Sequence, residues 1–95
     1  MIKIIIERRI MPGLEEEYEQ AAREAMRVSL GARGFVGGES LVERGRNDHR
    51  LMITKWRDMR AWKEWYSSEA RTMAMQRILP LLTEEESIRI YEASY

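Results

Sequence analysis

The feature that most constrains the fold of this chain is the spacing of isoleucine near its start. Isoleucine recurs with a period of two at Ile2, Ile4, Ile6 and Ile10. β-Branched residues with this period predict a β-strand, which we place at about residues 2–10. Ile5 falls on the opposite side, so both faces of this strand carry apolar side chains. In a small sheet, such a strand is expected to have helices on one face and a partner on the other.

Proline and glycine divide the rest of the chain into further segments. In chain order, we predict a strand at 2–10, a helix at 14–30, a hairpin at 35–56 with its turn at 45–48, a second helix from Asp58 to Pro80 and a fourth strand from Ile88. Ser67-Ser68 offers a second helix start, so the second helix is expected either whole or as two helices with a kink. Gly37-Gly38 predicts a bulge, or a place where another group closely approaches the backbone.

The order of these elements is β-α-β-β-α-β, and it predicts an α+β fold of the ferredoxin-like type. The sheet is expected to be antiparallel, with both helices on one face. The other face still has to be covered, and packing two such faces together gives a dimeric α+β barrel. With 95 residues, the chain is expected to form a single domain over 1–95 and to associate as a homodimer.

Composition excludes several classes of function. Lys and Arg together number 16 and so do Asp and Glu, which argues against a nucleic-acid binder that works through a general basic field. Cysteine is absent, which excludes disulfides, thiolate metal sites and a cysteine nucleophile, and the single histidine excludes a site with two imidazoles. No apolar run approaches the ~18 residues of a membrane span, and the first residues do not resemble a signal peptide. We therefore expect a cytoplasmic protein with no membrane or nucleic-acid partner.

Tryptophan gives the first candidates for a site. Trp56 ends the third predicted strand, and Trp62 and Trp65 lie on the second predicted helix. Trp56 and Trp62 are expected in the core. Trp65 is expected either in the core or in the wall of a pocket between helix and sheet, where an indole offers a flat apolar face and one N–H donor.

Arg8 is a further candidate, because it lies on the same predicted face as the alternating isoleucines. An arginine in that position must pair with another group, reach solvent or face a cavity. Two interpretations stay open at this point. The first is an arginine that reaches solvent at the end of the strand, and the second is a contact to an anion or phenolate inside a pocket.

Methionine, histidine and glutamate give weaker signals. The methionines near the second helix are expected as core filler or as adaptable pocket walls: Met52, Met59, Met73 and Met75. His49 is expected to be a solvated residue of the hairpin turn. The runs Glu15–Glu17 and Glu84–Glu86 are expected as helix-start and solvated-loop charges. No spacing predicts a metal site or a pair of carboxylates for acid–base chemistry.

Several segments taken together resemble the antibiotic biosynthesis monooxygenase family. They are Ile6–Ile10 followed by Pro12-Gly13, then Gly34–Ser40, then Trp56–Asp58 with Trp62–Ser68. The resemblance covers about residues 2–94, and its specificity lies in the order and spacing of the segments rather than in any single motif. It implies a dimeric α+β barrel in which each subunit has a pocket between the sheet and the helices.

Some members of this family oxidise electron-rich aromatic compounds, such as anthrones and quinols, with O2 and without metal or flavin. The resemblance therefore implies a cofactor-independent monooxygenase with a small aromatic or quinol-type substrate. In that chemistry the substrate supplies the electrons, and the protein stabilises an enolate or phenolate and excludes water. The resemblance assigns charge stabilisation to Arg8, and ring stacking with a hydrogen bond to Trp65. It assigns the rest of the pocket wall to Phe35, Met52 and Met75. No residue is an obvious general base.

A related branch of the family degrades haem with an asparagine, a tryptophan and an iron-ligating histidine. These positions correspond to Arg8, Trp65 and Met75, so two of the three differ and haem is not expected as a cofactor. Two other functions stand as alternatives to the oxygenase. One is a non-catalytic dimeric module that binds a small ligand or serves in a stress response, and the other is isomerisation of a small oxidised metabolite.

Overall fold

The computed structural model describes residues 1–95, and its elements follow the predicted order. The elements are β1 (Ile2–Arg9), α1 (Glu15–Ser29), β2 (Phe35–Glu43), β3 (Arg46–Trp56), α2 (Met59–Tyr66), α3 (Glu69–Ile78) and β4 (Ser87–Glu92). A short 3-10 turn, Leu79–Leu81, follows α3 at Pro80. The second predicted helix is therefore two helices, broken at Ser67-Ser68. None of the helices is both long and apolar enough to cross a membrane.

The four strands form one antiparallel sheet in the order β2-β3-β1-β4. β1 lies in the interior of the sheet, where it pairs with β3 on one side and with β4 on the other. This strand order, with helices in both crossovers, confirms the predicted ferredoxin-like fold. The interior position also accounts for the isoleucines of β1, because an interior strand can pack side chains above and below the sheet.

One face of the sheet packs against the helices and forms the core. The even-numbered residues of β1 are buried on this helix-covered face, as the alternation predicts. Ile4, Trp56 of β3 and Tyr18 of α1 have no exposed surface, and Trp62 of α2 is also buried. The core positions predicted for Trp56 and Trp62 are confirmed.

Side-chain caps fix the starts of the two shorter helices. The Asp58 carboxylate accepts a hydrogen bond from the backbone N–H of Ala61 at 2.9 Å and begins α2. The Ser68 hydroxyl accepts one from the backbone N–H of Arg71 at 3.1 Å and begins α3. Arg71 and Met75 lie four residues apart in α3 and therefore on the same side of this helix.

Two glycines allow close approach of neighbouring elements. Gly34 has a positive φ of 81°, and a Cβ at this position would lie 2.4 Å from the Cβ of Ala61. At Gly38, a Cβ would lie 2.8 Å from the methyl carbon of Met26. The pairing of β2 with β3 shifts register between Phe35 and Gly37. The predicted close approach is therefore present at Gly38, and the bulge lies just before the predicted Gly37-Gly38 pair, at Val36.

The hairpin turn is shorter than predicted. Glu43 pairs with Arg46, so only two residues form the turn, and Gly45 supplies the positive φ of 85° that it needs. The prediction of a turn at 45–48 was wrong, because Gly45 alone provides the left-handed conformation and the chain is extended again from Arg46. As a result, His49 belongs to β3.

The second face of the sheet carries no helix, and we name it the open face. Its partly or largely exposed apolar residues come from three strands: Ile5, Leu41, Leu51 and Ile53. Ile5 thus lies opposite the core, as its position in the sequence predicts. These side chains leave an apolar area at the centre of the open face.

Candidate functional site

A cavity of about 40 Å³ lies between the helix-covered face of the sheet and the three helices. The apolar part of its wall comes from β1, β3, α1, α2 and α3: Ile6, Ala25, Met26, Met52, Trp62, Trp65, Ala74 and Met75. The polar part is Arg8, Ser29, Thr54 and Arg71. No acidic side chain belongs to the wall. An apolar cavity with a few converging polar groups is the usual form of a small-molecule site.

The structure brings together four of the five residues predicted for the site. Arg8, Trp65, Met52 and Met75 all line the cavity. Phe35 does not, because it is paired with Trp56 across β2 and β3 and its ring packs edge to face on Trp56, with 5.1 Å between centroids. The position of Phe35 therefore gives no support to its predicted contact with substrate.

Arg8 is only 4% exposed, so the interpretation that it reaches solvent was wrong. Its Nε donates to the Glu86 carboxylate at 2.7 Å, and its Nη1 donates to the Tyr18 hydroxyl at 3.1 Å. Its Nη2 lies 3.6 Å from the sulfur of Met75. Arg8 is an even-numbered residue of β1, so its side chain points toward the helices. The hydrogen bonds to its partners there replace those that it would make with water.

The surroundings of Arg8 keep its guanidinium charged. Burial alone lowers the pKa of Arg8, but the contacts with Tyr18 and Glu86 outweigh burial, and the net pKa is raised above its ordinary value. The wall of the cavity therefore contains a permanent cation. Such a group can stabilise negative charge that develops on a ligand oxygen.

Glu86 contradicts the prediction of a solvated run at Glu84–Glu86. Its side chain is 9% exposed, and its two oxygens accept from Arg8 and Arg71, each at 2.7 Å. β4 pairs with β1, so the residue just before β4 lies beside the end of β1. Three consecutive glutamates are typical of a solvated loop, and only the pairing of these two strands reveals that the third points inward.

The sequence pattern did not indicate Arg71 as a site residue. In the structure it lines the cavity, and its side chain is only 12% exposed. Its guanidinium lies over the ring of Tyr66, 4.6 Å from the centroid. The signal that identifies it is local. Once Ser68 is taken as the cap of a separate helix, Arg71 and Met75 fall on one helix face.

The three tryptophans form a cluster at the cavity. Trp56 donates its indole N–H to the Thr54 hydroxyl at 3.0 Å, so the polar group of this buried ring has a hydrogen-bond partner. Trp62 meets Trp56 edge to face at 5.9 Å, and Trp65 stacks on Trp56 at 6.0 Å with 28° between the planes. Trp65 is the partly exposed member, and it separates the cavity from a groove beside the end of α1.

His49 lies on the open face, on the other side of the sheet from the cavity. The prediction that it is a solvated turn residue was wrong, because β3 already includes it and its side chain is 14% exposed. Its two ring nitrogens bond the carboxylates of Glu43 and Glu7. These hydrogen bonds, that to Glu43 first, raise the pKa of His49, and the bond to His49 lowers the pKa of Glu7.

Comparison with known proteins adds a family and a set of similar structures. The sequence model of the family described as antibiotic biosynthesis monooxygenase matches residues 1–77. No curated protein matches the chain.

The similar structures share the whole fold. A crystal structure described as an antibiotic biosynthesis monooxygenase is 18% identical, with 100% of both chains covered and a TM-score of 0.90. SnoaB, described as a cofactor-independent oxygenase from Streptomyces nogalater, is 18% identical over 99% of this chain and 94% of its own, with a TM-score of 0.87. A conserved protein from Methanosarcina mazei is 17% identical over 95% and 89%, with a TM-score of 0.88.

Proposed function

Because the chain belongs to the antibiotic biosynthesis monooxygenase family, we propose that it is a cofactor-independent oxygenase that oxidises a small electron-rich aromatic or quinol-type compound with O2. The observation that carries this proposal is the cavity itself, which joins an aromatic and thioether wall to one buried, charged arginine. SnoaB, which has the same fold, is described as a cofactor-independent oxygenase.

The apolar wall suits an aromatic ring. Trp65 contributes an indole ring to the wall, and the flexible thioethers of Met26, Met52 and Met75 form other parts of it. A cavity that holds a benzene-sized ligand is about 150 Å³, so a substrate must displace part of this wall. Methionine side chains have three rotatable bonds and are suited to that movement.

Arg8 is proposed to stabilise the anion through which the substrate reacts. Loss of a proton from a phenol or an anthrone gives an electron-rich phenolate or enolate, and the guanidinium binds its oxygen. In the anthrone case, a ring CH2 becomes C=O, one atom of O2 enters the product and the other leaves as water. The four electrons that reduce O2 come from the substrate carbon. The proton lost in forming the enolate passes to water, since the wall contains no carboxylate or imidazole.

Glu86 and Tyr18 are proposed as positioning residues. Both contact Arg8 directly, and together they fix the direction in which its remaining N–H groups point. A guanidinium held in this way does not have to reorganise when charge develops on the substrate, which is the physical basis of electrostatic catalysis.

The proposed enzyme is a cytoplasmic homodimer in which a second copy covers the open face. Ile5, Leu51 and Ile53 are partly exposed at the centre of that face, and burying them against the same surface of a second chain would remove apolar area from water. Residues 1–95 are proposed to act as one domain, with one cavity in each subunit.

Oxygen uptake by chelator-treated protein, measured across anthrones, naphthols and quinols, tests the proposed activity. We expect substrate-dependent uptake that falls about tenfold in Trp65→Phe and about a hundredfold in Arg8→Met. Arg60→Ala is the control, because this arginine is exposed on the outside of α2. Unchanged uptake in Trp65→Phe and Arg8→Met would remove both residues from the mechanism.

One observation favours a second candidate function, a non-catalytic module that binds a small ligand. The cavity wall has no side chain that accepts a proton at neutral pH, so turnover depends on a substrate that ionises in water. Ligand binding without O2 consumption for any compound of the panel would support this candidate over the oxygenase.

A further inference from the structure

Positively charged side chains outnumber negatively charged ones around the cavity. Arg8 and Arg71 line it, and the only carboxylate that pairs with either of them is that of Glu86, which they share. All three side chains are largely withdrawn from solvent. Two cations and one anion leave a net positive charge, and a buried charge without a partner is costly.

Arg71 is the member of this group with the fewest partners. A guanidinium has five N–H donors, and Arg71 uses one of them, from Nη2 to Glu86. Tyr66 covers the face of the guanidinium and leaves its edge free, because stacking does not occupy the N–H groups. The unused donors belong to a side chain that lines the cavity and is 12% exposed.

Arg50 shows how this chain satisfies an arginine that has only a structural role. It is almost as well buried as Arg8, and its guanidinium also lies over the Tyr18 ring, 5.5 Å from the centroid. Its Nε and Nη2 donate to the backbone and side-chain oxygens of Asn47, and its Nη1 donates to Glu19. Arg50 has three bonded nitrogens, against one at Arg71. No side-chain nitrogen of the chain is both buried and unpaired, so the free donors of Arg71 reach water and are open to a group from outside the chain.

We propose that the cavity binds a small aromatic anion, and that Arg71 holds its carboxylate while the ring lies against Trp65. The inference rests on the proposed function, and it gives the substrate class of the same site as a hydroxyaryl carboxylate. Glu86 already shows that a carboxylate fits between these guanidiniums, with N–O distances of 2.7 Å to both. A ligand carboxylate would use the remaining N–H groups of Arg71 and make the charge of the site neutral.

This arrangement gives the two arginines different roles. Arg71, on α3, binds a group that keeps its charge throughout the reaction. Arg8, on β1, stays available for the oxygen on which charge develops. Binding energy from the non-reacting carboxylate would orient the ring so that its reacting oxygen faces Arg8.

Calorimetric titration under nitrogen with salicylate and salicylamide tests the proposal, because the two probes have the same ring and hydroxyl but differ in charge. At a pH where salicylamide is neutral, we expect salicylate to bind about tenfold more tightly or better. In Arg71→Met, salicylate binding should weaken about tenfold to a hundredfold, while salicylamide binding stays within about threefold. Arg60→Met is the matched control and should leave both affinities unchanged.

Equal affinity for the two probes, binding of neither probe, or equal losses for both in Arg71→Met would overturn the proposal. Arg71→Lys keeps the charge without the planar fork and should retain part of the preference, so the test stands even where Arg71→Met does not fold. Oxygen uptake with neutral quinols, without any preference for salicylate, would reject this inference and leave the proposed function in place. A preference for salicylate without O2 uptake for any compound would support the binding of an aromatic anion and reject the proposed oxygenase activity.

Discussion

The two faces of the sheet place the same residue types in different surroundings. On the helix-covered face, Arg8 and Glu86 form an ion pair that is almost fully withdrawn from solvent. On the open side, the neighbouring residues Arg9 and Glu84 form an ion pair in which both side chains are exposed. Exposed pairs contribute little and buried charges are costly. A buried charged residue on the helix-covered face therefore points to a functional role, whereas an exposed ion pair on the open side does not.

The largest expected effect comes from two glutamates of one run. Glu86→Gln leaves Arg8 and Arg71 buried without an anion and should lower the free energy of unfolding by about 3–5 kcal/mol. Glu84→Gln removes only the exposed pair and should cost about 0–1 kcal/mol. Urea denaturation of both variants measures the difference. Equal losses in the free energy of unfolding would mean that the buried ion pair and the exposed ion pair contribute equally to stability.

Two adjacent isoleucines of β1 extend the comparison to apolar side chains. Ile4 has 0% exposed surface on the helix-covered face, and Ile4→Ala should cost about 3 kcal/mol in the free energy of unfolding. Ile5 is only partly buried, so Ile5→Ala should cost about 1 kcal/mol or less at concentrations where the chain is a monomer. A loss at Ile5 that matches the loss at Ile4 under those conditions would contradict the assignment of the open face.

Association is expected to depend on the open face alone. Placing a charge at its centre, as in Ile53→Glu, should weaken self-association about tenfold or more, whereas Leu30→Glu, at an exposed position at the end of α1, should change it little. Sedimentation velocity over a dilution series measures both variants. A wild-type monomer that keeps its native circular dichroism at micromolar concentration would rule out the dimeric barrel.

The smallest expected effect is a pH dependence confined to the open face, where His49 lies between Glu7 and Glu43 with Arg9 and Arg89 nearby. The pKa of His49 is raised above 6.5, so its contribution is complete below that pH and is lost as pH rises through the raised value. The pKa of Glu7 is lowered below 4.5, so its contribution is present above that pH and is lost as pH falls.

The cluster should therefore stabilise the protein most between pH 4.5 and 6.5. Thermal unfolding of the wild type and His49→Gln across pH should show the largest difference in Tm in that window, with a smaller difference on either side. A difference in Tm between the wild type and His49→Gln that grows as pH rises above neutrality would contradict the raised pKa of His49.

The sequence predicts well those features that depend on local periodicity. A period of two places Arg8 inside with the isoleucines, and helical spacing places Trp65 at the edge of the core. The helix break at Ser67-Ser68 follows from the capping preference of serine. Each of these inferences needs only the residues of one element.

The positions of Glu86 and His49 depend on contacts between elements that are distant in the sequence. Glu86 turns inward because β4 pairs with β1, 78 residues away from Arg8. His49 meets Glu7 because the short turn at Gly45 extends β3 beside β1. A run of charge or a turn residue in the sequence does not reveal such pairings, so solvation was the natural prediction for both.

The central claim is that this chain oxidises an aromatic compound with O2 in the cavity that Arg8 and Trp65 line. Mass spectrometry of the product formed from an anthrone under labelled O2, by chelator-treated protein, tests it most directly. The expected result is one labelled oxygen atom in each product molecule, with formation reduced about tenfold in Trp65→Phe. Product formation no faster than in buffer, or at the same rate in the wild type and Trp65→Phe, would contradict the claim.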